Sequence, residues 1–301
     1  MNIIRMTGGL GNQMFQYALY LKLKNLGRQV KMDDVTEYEN RDARPIMLWC
    51  FDLSYPRASR EEINRLTDGF LKLSHRIRRK LFGRRSLEYQ EQSCNFDEQI
   101  LIREPAYLTG YFQSERYFKD IEKQVREAFS FSDKIWQEAD AGTVKKIRDF
   151  QRKIDYSLSV SVHIRRGDYT KNEAVYGHIC TDAYYKKAVE LIKEKYPGAC
   201  FFVFSNEPEW AEKWIREQYG EETGFIVIEG TDESTGYLDL FLMSRCKHHI
   251  LANSSFSWWG AWLNSEEDKV VIAPSRWFND KDCKDIYTDK MLKITPDGML
   301  K

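Results

Sequence analysis

Along the first 32 residues the hydrophobic pattern changes period twice. Residues 2–6 form a short apolar run, and residues 7–11 are rich in glycine. Phe15, Leu19, Leu23 and Leu26 then recur at helical spacing, and residues 28–32 return to a strand pattern. This strand–helix–strand opening predicts a parallel sheet. Asn12 stands where it can cap the helix, and Gly27 where it can end it.

A second series begins at residue 156. Over 157–164 the pattern alternates strictly, with Leu158, Val160, Val162 and Ile164 on one side and Ser157, Ser159, Ser161 and His163 on the other. Helical patterns over 181–195, 208–219, 238–246 and 256–263 then alternate with apolar runs over 200–205, 225–228, 249–252 and 270–273. Such alternation predicts a doubly wound domain from about residue 155, with 270–273 as its last strand. Between the two series the pattern is less regular. Residues 114–130 and 132–152 read as charged amphipathic helices, and Phe70, Leu73, Ile77 and Leu81 share one helical face.

Charge changes this picture in two ways. The 301 residues carry 46 Lys+Arg against 46 Asp+Glu, and zero net charge argues against a general nucleic-acid binder. Yet neutrality is a sum of segregated parts. Residues 72–85 hold seven bases and no acid, while 207–239 hold ten acids against Lys213 and Arg216. The basic stretch predicts either a solvated helix or a peripheral contact with an anionic membrane. No apolar run approaches the ~18 residues of a membrane span, and the start lacks the apolar centre of a signal peptide. Six scattered cysteines without a CxxC pair read as reduced thiols, and the expected location is the cytoplasm.

Ligands of doubly wound sheets bind beyond the carboxyl ends of the strands. Four such loops carry candidate chemistry. The first, residues 7–13 (TGGLGNQ), offers Gly9 and Gly11 for close backbone approach and a helix start for an anion. It is not a dinucleotide fingerprint, because Met14 holds the third glycine position. The second, 163–169 (HIRRGDY), ends the alternating strand with Arg165 and Arg166, whose planar forks match phosphate, and with Asp168 as a partner. The third places Asn206 and Glu207 before Pro208, either to read a nucleobase edge or simply to start a helix. The fourth, 253–262 (NSSFSWWGAW), opens a helix with Ser254, Ser255 and Ser257 as a phosphate cradle, and its tryptophans read as core. Asp280 and Asp282 mimic a metal-binding DxD but stand among charges in a polar loop, so they read as solvated.

Together these loops resemble the α-1,2-fucosyltransferases of glycosyltransferase family 11. The resemblance rests on GGLGNQMF at 8–15, HIRRGDY at 163–169, and the segment 253–262 with its lead-in 239–246. It implies an α/β GT-B architecture of two facing Rossmann-like domains with a cleft between them, divided as 1–152 on the acceptor side and 153–301 on the donor side. A last helix is expected to pack back on the N-terminal domain. It further implies GDP-β-L-fucose as donor, and inverting, metal-independent transfer to the 2-hydroxyl of a terminal β-galactose in a glycan such as an O-antigen or capsule repeat. No cofactor is expected.

The same resemblance implies the roles. His163 lies near the guanosine, and Arg165 grips the β-phosphate as the bond to fucose breaks. Arg166 is structural or touches phosphate, and Asp168 orients the loop. Asn206 and Glu207 fall where relatives place a guanine-reading acid. Ser254, Ser255, Phe256 and Ser257 hold the pyrophosphate. Gly9 and Gly11 lie on the donor, and Asn12 positions donor or acceptor. Asp168, Glu207 and Asp33 are the carboxylates available as a base, unless the leaving phosphate takes the proton. The competing readings are another GDP-sugar transferase of different linkage and a non-catalytic sugar binder, which would expose Trp258, Trp259 and Trp262.

Overall fold

The computed structural model describes residues 1–39, 43–167, 172–220 and 224–301. The chain divides into two compact units, Met1–Ser130 and Phe131–Lys301. Each unit is built on one parallel sheet with helical crossovers, which is the α/β class and the pair of Rossmann-like units expected of a GT-B chain.

In the first unit β1 (Asn2–Arg5), β2 (Val30–Asp33), β3 (Glu88–Gln90) and β4 (Ala106–Thr109) run in the order β2-β1-β4-β3. Ile3 and Ile4 of β1 are fully buried, and Ile63 and Leu66 of the helix Arg60–Thr67 pack with Ile3 and Tyr107. The helix Leu10–Asn25 begins two residues before the predicted start. Gly9 is its N-cap, and Asn12 lies inside the first turn instead of capping it. The left-handed turn at Gly8 (φ 76°) brings the chain into the helix early. β3 and β4 lie in the irregular middle of the sequence, where no regular strand–helix alternation marks them, and β3 (EYQ) is mostly exposed. The predicted helix over 114–130 breaks into two 3₁₀ turns and the helix Glu122–Ala128.

The second unit contains β5 (Ser159–Ile164), β6 (Cys200–Ser205), β7 (Phe225–Val227), β8 (His248–Ile250), β9 (Val271–Pro274) and β10 (Met291–Ile294). Their order is β10-β9-β8-β5-β6-β7, all parallel. Counted from its own first strand, the unit has the order 3-2-1-4-5-6 of a dinucleotide-binding fold. The alternating strand β5 is buried on both faces because it is central. Its polar side is internally satisfied at Ser161, whose Oγ lies 2.8 Å from His249 Nδ1, while Asn264 Nδ2 lies 2.9 Å from His249 Nε2. Adjacent His248 turns the other way and stacks on Tyr196 at 4.1 Å.

Two boundary expectations change. The division falls between Ser130 and Phe131, not at 152/153. The helix Ala141–Asp155 belongs to the second unit, where Asp155 pairs with Arg245 at 2.9 Å. Phe131 and Trp136 meet the Phe241 ring edge-on at 5.4 and 5.2 Å. The chain also ends on the strand β10, paired with β9, so the element expected to fold back as a last helix is a sheet edge.

Candidate functional site

In a sheet of this order the crevice lies where the connections switch direction, outside the carboxyl ends of the first and fourth strands. Here those strands are β5 and β8, and they deliver residues 163–167 and 251–257 to one rim. His163 is the last polar residue of β5. Its ring is buried, lies 5.9 Å from that of Phe256, and keeps a buried Nδ1 with no hydrogen-bond partner. Burial first, and the charge of Arg165 second, hold the imidazole neutral with its pKa down to about 3. A neutral imidazole has one nitrogen that donates and one that accepts, so Nδ1 keeps hydrogen-bonding capacity among the described residues.

The two arginines that follow have different surroundings. Arg166 is tied into the unit: its Nε donates to Glu207 Oε2 at 3.0 Å and its guanidinium lies 3.9 Å from the centre of the Trp210 ring. Its backbone N–H donates to Asn206 Oδ1 at 2.9 Å. So Asn206 and Glu207, expected to read guanine, brace the arginine loop from the end of β6. Gly167 turns left-handed (φ 63°), and a Cβ there would come within 2.7 Å of Asn206 Nδ2. Arg165 is half-buried at the rim, next to His163. Asp168 lies outside the described residues.

The serine segment splits as well. Ser254 is the N-cap of the helix Ser255–Leu263, and its Oγ accepts from Phe256 N at 3.3 Å. Ser257 is buried and donates to Ser254 O at 3.3 Å. Both hydroxyls thus bond backbone groups of their own segment. Trp258, Trp259 and Trp262 are core residues, and Trp258 Nε1 donates to Ile286 O at 2.7 Å. The sugar-binder alternative required them exposed. Asp280 and Asp282 are exposed, as their polar loop suggested.

In the first unit the switch lies between β1 and β4. The glycine loop there is bound by amides. Gln16 accepts from Thr7 N at 3.1 Å and donates to Gly110 O at 2.9 Å, so it joins the loops that follow β1 and β4. Gln13 donates to Gly8 O and Pro45 O, both at 2.9 Å, and accepts from Met47 N at 2.9 Å. Asn12 Oδ1 accepts from Gln113 Nε2 at 2.8 Å. Gly9 and Gly11, expected on the donor, belong with Asn12 to this unit and not to the one that holds the arginines.

The model of glycosyl transferase family 11 matches residues 86–294. An α-1,2-colitosyltransferase of Escherichia coli is 35% identical, with 92% of each chain covered. The chain belongs to glycosyl transferase family 11. A second Escherichia coli relative, the O-antigen biosynthesis glycosyltransferase WbnK, is 29% identical over 96% of this chain and 99% of its own. The galactoside α-(1,2)-fucosyltransferase 1 of Sus scrofa is 27% identical over 88% of this chain and 66% of that protein. As a member of family 11 the protein is a glycosyltransferase.

The carboxylates of this family 11 chain have different surroundings. Asp33, weighed above as a base, ends β2 and accepts from Tyr107 Oη (2.7 Å), Thr36 Oγ1 (2.6 Å), Thr36 N (2.9 Å) and Val35 N (3.1 Å). Burial acts to raise its pKa, but the hydrogen bonds from Thr36, Tyr107 and Val35 outweigh it and hold the carboxyl below its usual value. A carboxylate so occupied does not serve as a base. Glu207 is paired with Arg166. Asp239 is the residue that the sequence reading passed over. It sits in the first turn of the helix Gly236–Arg245, which follows β7 and therefore starts on the carboxyl side of the sheet. Its Oδ1 accepts from Thr231 Oγ1 at 2.9 Å, and burial pushes its pKa up to about 7 against that bond. The signal in the sequence was a single acid inside the apolar run YLDLFLM.

Proposed function

We propose that the protein transfers L-fucose from GDP-β-L-fucose, with inversion, to the 2-hydroxyl of a terminal β-galactose in a bacterial polysaccharide repeat such as an O-antigen. The observation that carries this reading is the loop at 163–167, with a buried neutral histidine and two arginines at the switch point of a nucleotide-binding strand order. The α-1,2 linkage in the names of two relatives and the O-antigen in the name of the third supply the linkage and acceptor class.

In this reading Arg165 neutralises the β-phosphate. The acceptor oxygen bonds to the anomeric carbon, the bond from that carbon to the phosphate oxygen breaks, and the electron pair leaves with GDP. A fixed cation at that oxygen stabilises charge that develops only in the transition state. Arg166, held by Glu207 and Trp210, keeps the loop in place. His163 hydrogen-bonds the guanosine, and Ser255 with Phe256 receives the pyrophosphate. The acceptor proton goes to the leaving phosphate or to Asp239, whose raised pKa suits a base near neutrality. GDP-fucose is a co-substrate, and we assign no metal or cofactor to the reaction.

A second donor is favoured by the colitosyltransferase at 35% identity. Colitose is fucose without its 3-hydroxyl, so one nucleotide site accommodates both donors. Measuring GDP release from the two GDP-sugars against lactose, N-acetyllactosamine and Galβ1-3GalNAc tests the proposal, and NMR of the product reads its linkage. Fucosyl transfer to the galactose 2-position is expected. Turnover restricted to the colitose donor would move the assignment to the second reading, and a linkage other than α-1,2 would overturn it.

A further inference from the structure

The helix Leu73–Phe82 is turned inside out. A surface helix ordinarily lays its apolar stripe on the core and its charges in water. Here no residue of the helix is buried, and Leu73, Ile77 and Leu81, one turn apart along one stripe, are 69%, 50% and 69% exposed. The opposite, charged side is the one that holds the protein. Arg78 pairs with Asp68, Arg79 donates to Asp68 O at 2.8 Å and Phe70 O at 2.9 Å, and His75 stacks on Phe70 at 4.7 Å. Asp68 Oδ2 also accepts from Arg85 N at 2.9 Å, so one buried aspartate fastens the segment from both ends. Leu71 and Phe82, at 85% and 71% exposed, extend the outward apolar surface.

We propose that this outward stripe, with the cations beside it, seats the first unit on the surface of an anionic lipid bilayer. Arg76 and Lys80 flank the stripe on the same helix, and Lys72, Arg84 and Arg85 lie at its ends. Among the described residues no carboxylate pairs with Lys72, Arg76 or Lys80. Apolar side chains at the acyl boundary and cations at the headgroups are the arrangement of a helix lying in the membrane interface. A second copy of the chain fits this surface poorly. Closing two stripes on each other would bring both sets of cations together with no acid among residues 72–85 to separate them. The inference does not depend on the donor or the linkage, since it concerns where the first unit rests.

The test is co-sedimentation of the full chain with vesicles of phosphatidylglycerol and phosphatidylcholine, and with phosphatidylcholine alone, at low and high salt. Binding is expected to the anionic vesicles, weakened by ~10-fold or more at high salt or without phosphatidylglycerol. Ile77→Ser with Leu81→Ser, and separately Arg76→Gln with Lys80→Gln, should each weaken it by ~10-fold while GDP release with a soluble acceptor stays at the wild-type rate. The same preparations are run by gel filtration. Equal sedimentation with both vesicle types, no sedimentation with either, or binding unchanged in both double variants would overturn the proposal. So would a dimer that Ile77→Ser with Leu81→Ser dissolves, which would give the stripe to a second copy.

Discussion

The two sheets present comparable crevices and treat them differently. At the switch between β1 and β4, polar side chains spend their hydrogen bonds on one another's backbone. Gln16 bridges the two strand-end loops, Gln13 binds three backbone groups, and Asp33 accepts four hydrogen bonds. At the switch between β5 and β8, polar groups are left with capacity. His163 Nδ1 is buried without a partner among the described residues, and beyond β7 burial pushes the Asp239 carboxyl up against its hydrogen bond from Thr231. The first crevice is closed by its own hydrogen bonds, and the second keeps a buried ring nitrogen unpaired among the described residues. The glycine-rich GGLGNQ lets a helix and two loops close together.

If that contrast holds, substitutions in the second crevice should change turnover and those in the first should change stability. The largest effect is expected from Arg165→Ala, a fall in kcat/KM of ~10³-fold in a chain that still folds. Arg166→Ala should cost less turnover and also lower the melting temperature, because Arg166 braces the loop through Glu207 and Trp210. Near wild-type transfer by Arg165→Ala would remove the difference between the arginines.

The aspartates Asp33 and Asp239 should respond to pH with opposite sign. The carboxyl of Asp239 has a higher pKa folded than unfolded, so its ionisation opposes folding. Relative to Asp239→Asn, the wild type should lose up to about 1.4 kcal/mol per pH unit as pH rises from about 4 towards 7. Asp33 has the lower pKa folded, so it stabilises above its unfolded value and that stability is lost on acidification. Denaturant melts of the two asparagine variants across this range measure both slopes, and parallel slopes would break the comparison.

Gln16→Leu leaves Thr7 N and Gly110 O without their shared partner and should cost about 2–3 kcal/mol in chemical denaturation. Turnover per folded molecule should be retained. Gln113→Ala removes one neutral hydrogen bond to Asn12 and should cost only about 1 kcal/mol by the same measurement.

Much of the second unit was legible because its strands are short apolar runs separated by helices of regular length. β5 to β9 fall close to the predicted positions, whereas β10 (MLKI) escaped because Leu292 is exposed and the run before it has no crossover pattern. In the first unit β3 is polar and mostly exposed, and β4 stands outside any regular strand–helix alternation. The candidate site was legible as a set of loops but not as a set of roles. That Asn206 would spend its carbonyl on Arg166 N, or Ser257 its hydroxyl on Ser254 O, depends on contacts between strand ends that spacing does not encode. The basic helix shows the same limit. Its stripe was plain in the sequence, but which side faces the protein was decided by Asp68, outside the helix.

The central place of β5 has a kinetic consequence. Ser161 and His249, which join β5 to β8, are 88 residues apart in the chain, and Arg166 and Asn206, which join the loops after β5 and β6, are 40 apart. Contacts this distant form late, after local helices and hairpin-scale structure. The crevice at the ends of β5 and β8 therefore cannot precede the sheet that carries it. In refolding, recovery of GDP binding should follow the burial of Trp258 and Trp259 rather than accompany the first collapse, which makes nucleotide binding a clock for the last step of folding.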